Sequence, residues 1–140
     1  MLEFNIYRRD SGEVSGFDLG DIELAFEKDE ISSMENSKLS MMIYLTLSLL
    51  IYSLLKLKKG RSLKFVAVDS SFSVDFKLEK DKIIISRKKK CFGKYDFNIF
   101  LKALDSGIEK FLSAGNNLSE TDPAYEDFYN SLRALKSAIN

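Results

Sequence analysis

The chain has 140 residues with 21 basic and 21 acidic groups, so its formal net charge is zero. Hydrophobic residues make up 45% of it, which is typical of a globular protein and excludes intrinsic disorder, and the length predicts a single domain over residues 1–140. Histidine is absent and Cys91 is the only cysteine, which excludes an internal disulfide, a Cys/His zinc site and a histidine-based catalytic unit.

The N-terminal segments alternate between apolar and polar residues, as half-buried strands do. Leu2 to Arg8 is predicted to be the first strand, and a second is predicted to run from Glu13 to near Gly16. A third strand is predicted from Asp21 to Glu27. The residues predicted to face outward from this third strand are Asp21, Glu23 and Glu27.

An uncharged run from Leu39 to Leu55 predicts a long helix from about Glu35 to Lys59, ended by Gly60. Its 17 residues would reach roughly 25 Å as a helix, short of a hydrocarbon core of about 30 Å. Because the flanking segments are patterned as strands, we expect this helix to complete their core and not to cross a membrane.

After Gly60 apolar and polar residues again alternate with a period of two, as in a β-strand. The predicted strands are Leu63 to Val68, Phe72 to Leu78, Ile83 to Lys88 and a short one around Cys91–Phe92. Two C-terminal helices follow. Asp96 is the predicted N-cap and Gly115 the predicted end of the first, and Pro123 opens the second.

The predicted fold is therefore α+β. It has one antiparallel sheet of about five or six strands, a long apolar helix after the first strands, and two C-terminal helices.

The zero net charge hides a division along the chain: residues 1–37 sum to −7, residues 38–102 to +10 and residues 103–140 to −3. The acidic part predicts a surface that steers and holds a cationic partner, with an aromatic anchor beside the charges. The candidate partner-binding residues are Phe17, Asp18, Asp21, Glu23, Glu27, Asp29 and Glu30. The alternative interpretation is a solvated strand face and a turn, with Phe17 and Leu19 filling the core.

The basic part centres on Arg87, Lys88, Lys89 and Lys90, the candidate nucleic-acid-binding residues. Cations near aromatic rings could bind single-stranded nucleic acid through phosphates and stacked bases. The rings in question are those of Phe92, Tyr95 and Phe97. The alternative interpretation is an edge strand whose lysines prevent sheet-to-sheet pairing.

Catalytic patterns are weak. No phosphate-binding glycine motif occurs, and nothing marks the carboxylates Asp69 and Asp75 as an acid–base pair. We therefore predict a binding protein that is not an enzyme and that has no catalytic residue, cofactor or metal site.

A resemblance to a known family rests on the segment from Phe65 to Phe76 and on the uncharged helix that precedes it. In size, architecture and charge division the chain resembles small bacterial immunity proteins of contact-dependent growth inhibition and related polymorphic toxin systems. The resemblance implies a protein that binds one cognate toxin, often a nuclease, and occludes its active site. The order of elements is also similar to the single-strand-binding Whirly fold, although an obvious nucleic-acid-binding signature is absent.

The leading expectation is thus an immunity protein whose partner is a cognate protein toxin. With one cysteine and no N-terminal signal pattern, we expect it to act in the cytoplasm. The alternative is a single-stranded nucleic-acid-binding module that uses residues 87–90. An apolar helix face or an unpaired strand edge could also support a homodimer.

Overall fold

A computed structural model describes residues 1–140 and shows two antiparallel sheets of four strands each and three α-helices. The strands are β1 (Glu3–Arg8), β2 (Leu19–Ala25), β3 (Glu30–Ser32), β4 (Met41–Met42), β5 (Ser62–Val66), β6 (Ser73–Glu79), β7 (Lys82–Arg87) and β8 (Lys90–Asp96). The helices are α1 (Ile43–Lys56), α2 (Phe97–Phe111) and α3 (Tyr125–Ala138).

The first sheet has β2 at its centre. β1 pairs with one edge of β2, while the short strands β3 and β4 pair with the other. The register places Phe4 opposite Leu24 and Ile6 opposite Ile22, and all four side chains are buried. The alternation of these strands therefore defines one core face and one outer face.

The second sheet is a meander in the order β5-β6-β7-β8. The turn between β7 and β8 is closed by Lys88 and Lys89, which both have positive φ (52° and 68°), the backbone geometry of a two-residue type I′ hairpin turn. Ile85 pairs with Gly93 while Ser86 pairs with Cys91. Phe92 is therefore the extra residue of a β-bulge in β8.

The two sheets share one hydrophobic core of 33 buried residues. Phe100 of α2 lies within 5.4 Å of the Phe4 ring in the first sheet and 5.7 Å of the Phe76 ring in the second, measured between ring centroids. Helix α1 is buried along its apolar length, and α3 packs against it. The chain thus buries both sheets against the same helices.

The α+β class is confirmed, but the prediction of one sheet of five or six strands is wrong. Alternation in sequence shows which face of a strand is buried and does not show which strands pair. The predicted strand from Glu13 to Gly16 is absent. Those residues form a loop in which Gly16 N–H donates to Asp122 Oδ2 at 2.9 Å.

The predicted long helix is shorter than expected. Residues 33–35 and 37–39 form separate 3₁₀ turns, because Asn36 and Ser40 have extended backbone. Met41–Met42 then pairs with β2, so α1 has only the 14 residues from Ile43 to Lys56. None of the helices has both the length and the apolar character that crossing a membrane requires.

The predicted ends of the C-terminal helices agree better with the structure. Asp96 caps α2 by accepting from the Asn98 and Ile99 N–H groups at 2.9 and 3.3 Å. Gly115, with a φ of 93°, ends the helical path. Pro123 lies in the turn just before α3.

We predict that Gly107→Ala destabilises the protein by about 1–3 kcal/mol, although alanine normally favours helices over glycine. A Cβ atom at Gly107 would lie 2.5 Å from the Phe4 carbonyl oxygen, so α2 would have to move away from β1. Urea unfolding measures the change. Gly12→Ala is the control, because no atom lies within 4 Å of its Cβ position. Equal stability of the two variants would contradict the close approach.

Candidate protein-binding surface

The turn between β2 and β3 lies against β8 and joins the two sheets. The Phe26 ring centroid is 5.6 Å from that of Phe92 and 6.2 Å from that of Tyr95. The bulge at Phe92 matters here, because it changes which side chains of β8 face the first sheet. We call this contact, together with the ion pairs beside it, the hairpin junction.

Two ion pairs flank the aromatic contact. Lys90 pairs with Asp29, and this hydrogen bond lowers the pKa of Asp29 below its ordinary value. Arg87 donates to Glu35 Oε1 at 2.8 Å and to the Ser73 carbonyl at 3.0 Å, and its side chain is only 10% exposed. The acidic and basic parts of the chain, predicted as separate patches, therefore neutralise each other in part.

The hairpin junction also includes part of the basic segment, residues 87–90. Two of its four cations are paired in the junction, and Lys88 Nζ lies 3.8 Å from Glu35 Oε1. The rings of Phe92, Tyr95 and Phe97 are partly buried against the core. These rings are therefore only partly open to bases that could stack on them.

Two of the predicted contact residues, Asp18 and Asp21, are buried. Asp18 accepts from Arg8 Nη1 at 3.0 Å, in a pair whose side chains are about 10% exposed. Asp21 accepts from Arg9 Nε and from Ser33 Oγ, both at 2.8 Å. The prediction that Asp21 faces solvent is thus wrong, because the chain after β3 covers it. Both carboxylates hold the fold together and are not available to a partner.

The Arg8 side chain extends this buried network. Its Nε donates to Asn116 Oδ1 at 3.1 Å and its Nη2 donates to the Gly12 carbonyl at 2.9 Å. The Tyr44 hydroxyl donates to the Asn116 carbonyl, and burial raises its pKa well above the ordinary value. This network fixes the loop that carries Phe17 against Asn116, which follows α2 in the chain.

The outer face of the first sheet carries carboxylates that no cation neutralises. Glu23 accepts from Asn5 Nδ2 at 2.9 Å, and neither Glu23 nor Glu30 forms an ion pair. A hydrogen bond from Glu30 to Glu23 and their mutual repulsion raise the pKa of Glu30. Burial, followed by repulsion from the same two carboxylates, raises the pKa of Tyr7. These three residues therefore form one compact group.

Exposed apolar side chains occur on the first sheet and in the segments that adjoin it. Besides Met1, which precedes β1, four of the eight large hydrophobic residues that are exposed belong to this part of the protein. They are Tyr7, Phe17, Leu19 and Met34, each 41–55% exposed. A shallow cavity of about 440 Å³ is lined by Glu23, Asp29, Glu30, Ser32, Met34 and Glu35, so Met34 is the one of these four side chains that borders it.

We use the name outer face for the outward-facing sheet residues Tyr7, Leu19, Glu23 and Glu30 together with Phe17 and Met34 from the adjoining segments. Of the residues predicted from sequence, Phe17, Glu23 and Glu30 lie on it, and Glu27 is exposed at the adjoining turn. Asp29 borders it but is paired with Lys90. Sequence reasoning missed Tyr7, Leu19 and Met34, although the alternation of β1 already placed Tyr7 on the polar side.

No group of three or more carboxylates or thiols is placed so that it could hold a metal ion. No protein-family model matches the chain, and no curated protein or solved structure is significantly similar to it.

We predict that Glu30→Gln raises the melting temperature at pH 7 but not at pH 3. A carboxyl whose pKa is raised by folding contributes stability below its unfolded pKa, and that contribution is lost as the pH rises through the folded value. Glutamine mimics the protonated form at every pH. Melting curves at both pH values measure the effect.

Glu120→Gln is the control, because Glu120 is exposed and forms no ion pair. If Glu30→Gln and Glu120→Gln change the melting temperature by the same amount at both pH values, Glu23 and Glu30 do not repel each other.

Proposed function

We propose that the chain is an immunity protein that binds a cognate bacterial toxin in the cytoplasm and occludes its active site. The contact surface in this proposal is the outer face together with Glu27. The partner surface is cationic, and a nuclease with a phosphate-binding groove is the class of toxin that such a surface fits best.

The unneutralised pair Glu23 and Glu30 carries the proposal. Two carboxylates that repel each other gain most from a third group that is positive. A lysine or arginine placed between them would relieve the repulsion and form charge-assisted hydrogen bonds. This part of the surface is therefore suited to binding a cation.

The exposed apolar side chains of the outer face supply the second requirement of an interface. Phe17 and Tyr7 are aromatic and Met34 is flexible, which are residue types enriched at interface centres. The buried network around Arg8 fixes the loop of Phe17, so less ordering is needed when a partner binds.

Neutralisation of a toxin needs a complementary surface and no catalytic group. The direct test is to search the genes that neighbour the gene of this chain for a toxin domain, and to express that domain in a bacterial host with and without the chain. We expect growth arrest by the toxin alone and normal growth when the chain is present. Growth arrest that the chain does not relieve would contradict the proposal.

We predict that the double variant Glu23→Lys/Glu30→Lys slows association with that toxin domain by about tenfold or more at low salt, because it reverses the charge that steers the encounter. Stopped-flow or surface-binding kinetics at low and high salt measure the rate. The matched control is Glu79→Lys/Asp81→Lys, which reverses two carboxylates at the turn between β6 and β7 of the second sheet. Equal slowing by both double variants would show that only net charge matters.

A further inference from the structure

Strand β1 forms one edge of the first sheet, and half of its main chain points away from β2. The Arg9 N–H donates to the Leu19 carbonyl at 2.9 Å, which marks this as a hydrogen-bonded pair. Such pairs alternate in an antiparallel ladder, so Asn5 and Tyr7 also face β2. The N–H and C=O groups of Phe4, Ile6 and Arg8 therefore point to the free edge.

The other edge of β2 supports this assignment. Ile22 N–H donates to Ser33 Oγ and Phe26 N–H donates to the Asp29 carbonyl, so the even-numbered residues of β2 face β3. No hydrogen bond outside the sheet ladder engages the main chain of Ile6 or Arg8. These groups are ready to pair with another strand.

A groove runs between this edge and helix α2. Two cavities of about 350 and 270 Å³ lie along it and have Phe4, Asn5, Gly107 and Lys110 as common lining residues. At Gly107 the helix lies directly against the edge, since a Cβ atom there would be 2.5 Å from the Phe4 carbonyl oxygen. Further along, the exposed Ala114 leaves the groove open next to Ile6 and Arg8.

Charge favours one chemistry for the occupant. Lys110 lines both cavities, is exposed, and forms no ion pair, whereas Asp10 and Glu3, near opposite ends of β1, each line one cavity. An acidic side chain or a terminal carboxylate in the groove would meet this cation. Because α2 forms the opposite wall, the groove admits a single extended segment more readily than the edge of a folded domain.

We propose that this groove binds an extended peptide segment of a partner protein, which adds to β1 as a further strand and places a carboxylate against Lys110. Main-chain hydrogen bonds to Ile6 and Arg8 hold the peptide, and the small side chain of Ala114 gives it room. This goes beyond toxin neutralisation through the outer face and is tested without a toxin.

The experiment selects binders to the full chain from a random nine-residue peptide library displayed on phage, and measures the selected peptides by calorimetry and amide exchange. We expect peptides with alternating β-forming residues and at least one acidic group. Their binding should slow exchange of the Ile6 and Arg8 amides by about tenfold or more. The Asn5 and Tyr7 amides, already paired with β2, should change much less.

Two variants test the site. Ala114→Trp fills the groove from an exposed helix position and should abolish binding, and Lys110→Glu should weaken it about fivefold. Lys102→Glu is the control, since Lys102 is exposed on the same helix and lines neither cavity. Because Lys110→Glu changes only an exposed side chain, it keeps the test valid if Ala114→Trp unfolds.

Several results would overturn the proposal. These are a library that yields no binder, binders that leave the Ile6 and Arg8 amides unprotected, and binders that tolerate both groove variants. Protection of these amides that rises with protein concentration alone would instead assign the edge to a second copy of the chain. The toxin proposal can fail independently of this one, because Glu23→Lys/Glu30→Lys is expected to slow association with the toxin and to leave peptide affinity unchanged.

Discussion

The hairpin junction is the contact that decides which charged side chains of this protein stay unpaired at its surface. It packs Phe26 against the bulged strand β8 and pairs Asp29 with Lys90 and Glu35 with Arg87. Exposed ion pairs contribute little to stability, typically about 0–1 kcal/mol each. Their larger effect is on the surface, because each pair removes one carboxylate and one cation from the groups that a partner can reach.

What remains after this pairing determines the functional interpretation. Asp18 and Asp21 are used inside the fold, where removing an arginine partner would leave a buried charge without compensation. Glu23 and Glu30 are left on an open sheet face beside exposed apolar side chains. Glu3, Asp10, Glu13 and Glu27 are also exposed and form no ion pair, so the acidic character of the N-terminal third reaches solvent at several places, and mutual repulsion distinguishes Glu23 and Glu30 among them.

Local patterns predicted much of this fold because their causes are local. The alternation of Phe72, Val74 and Phe76 correctly indicated one buried face, and the Asp96 side chain caps α2 as its position predicted. The pairing of the charged side chains was not predictable from local patterns. Asp29 and Lys90 lie 61 positions apart in the sequence, and only the packing of two hairpins brings them together.

Footprinting of the complex with hydroxyl radicals tests the central claim most directly, because the exposed apolar side chains report on their own burial. The account predicts that binding of the cognate toxin domain protects Phe17 and Met34 from oxidation and leaves the equally exposed Val66 and Ile99 unprotected. Protection of Val66 or Ile99, with Phe17 and Met34 still reactive, would contradict it.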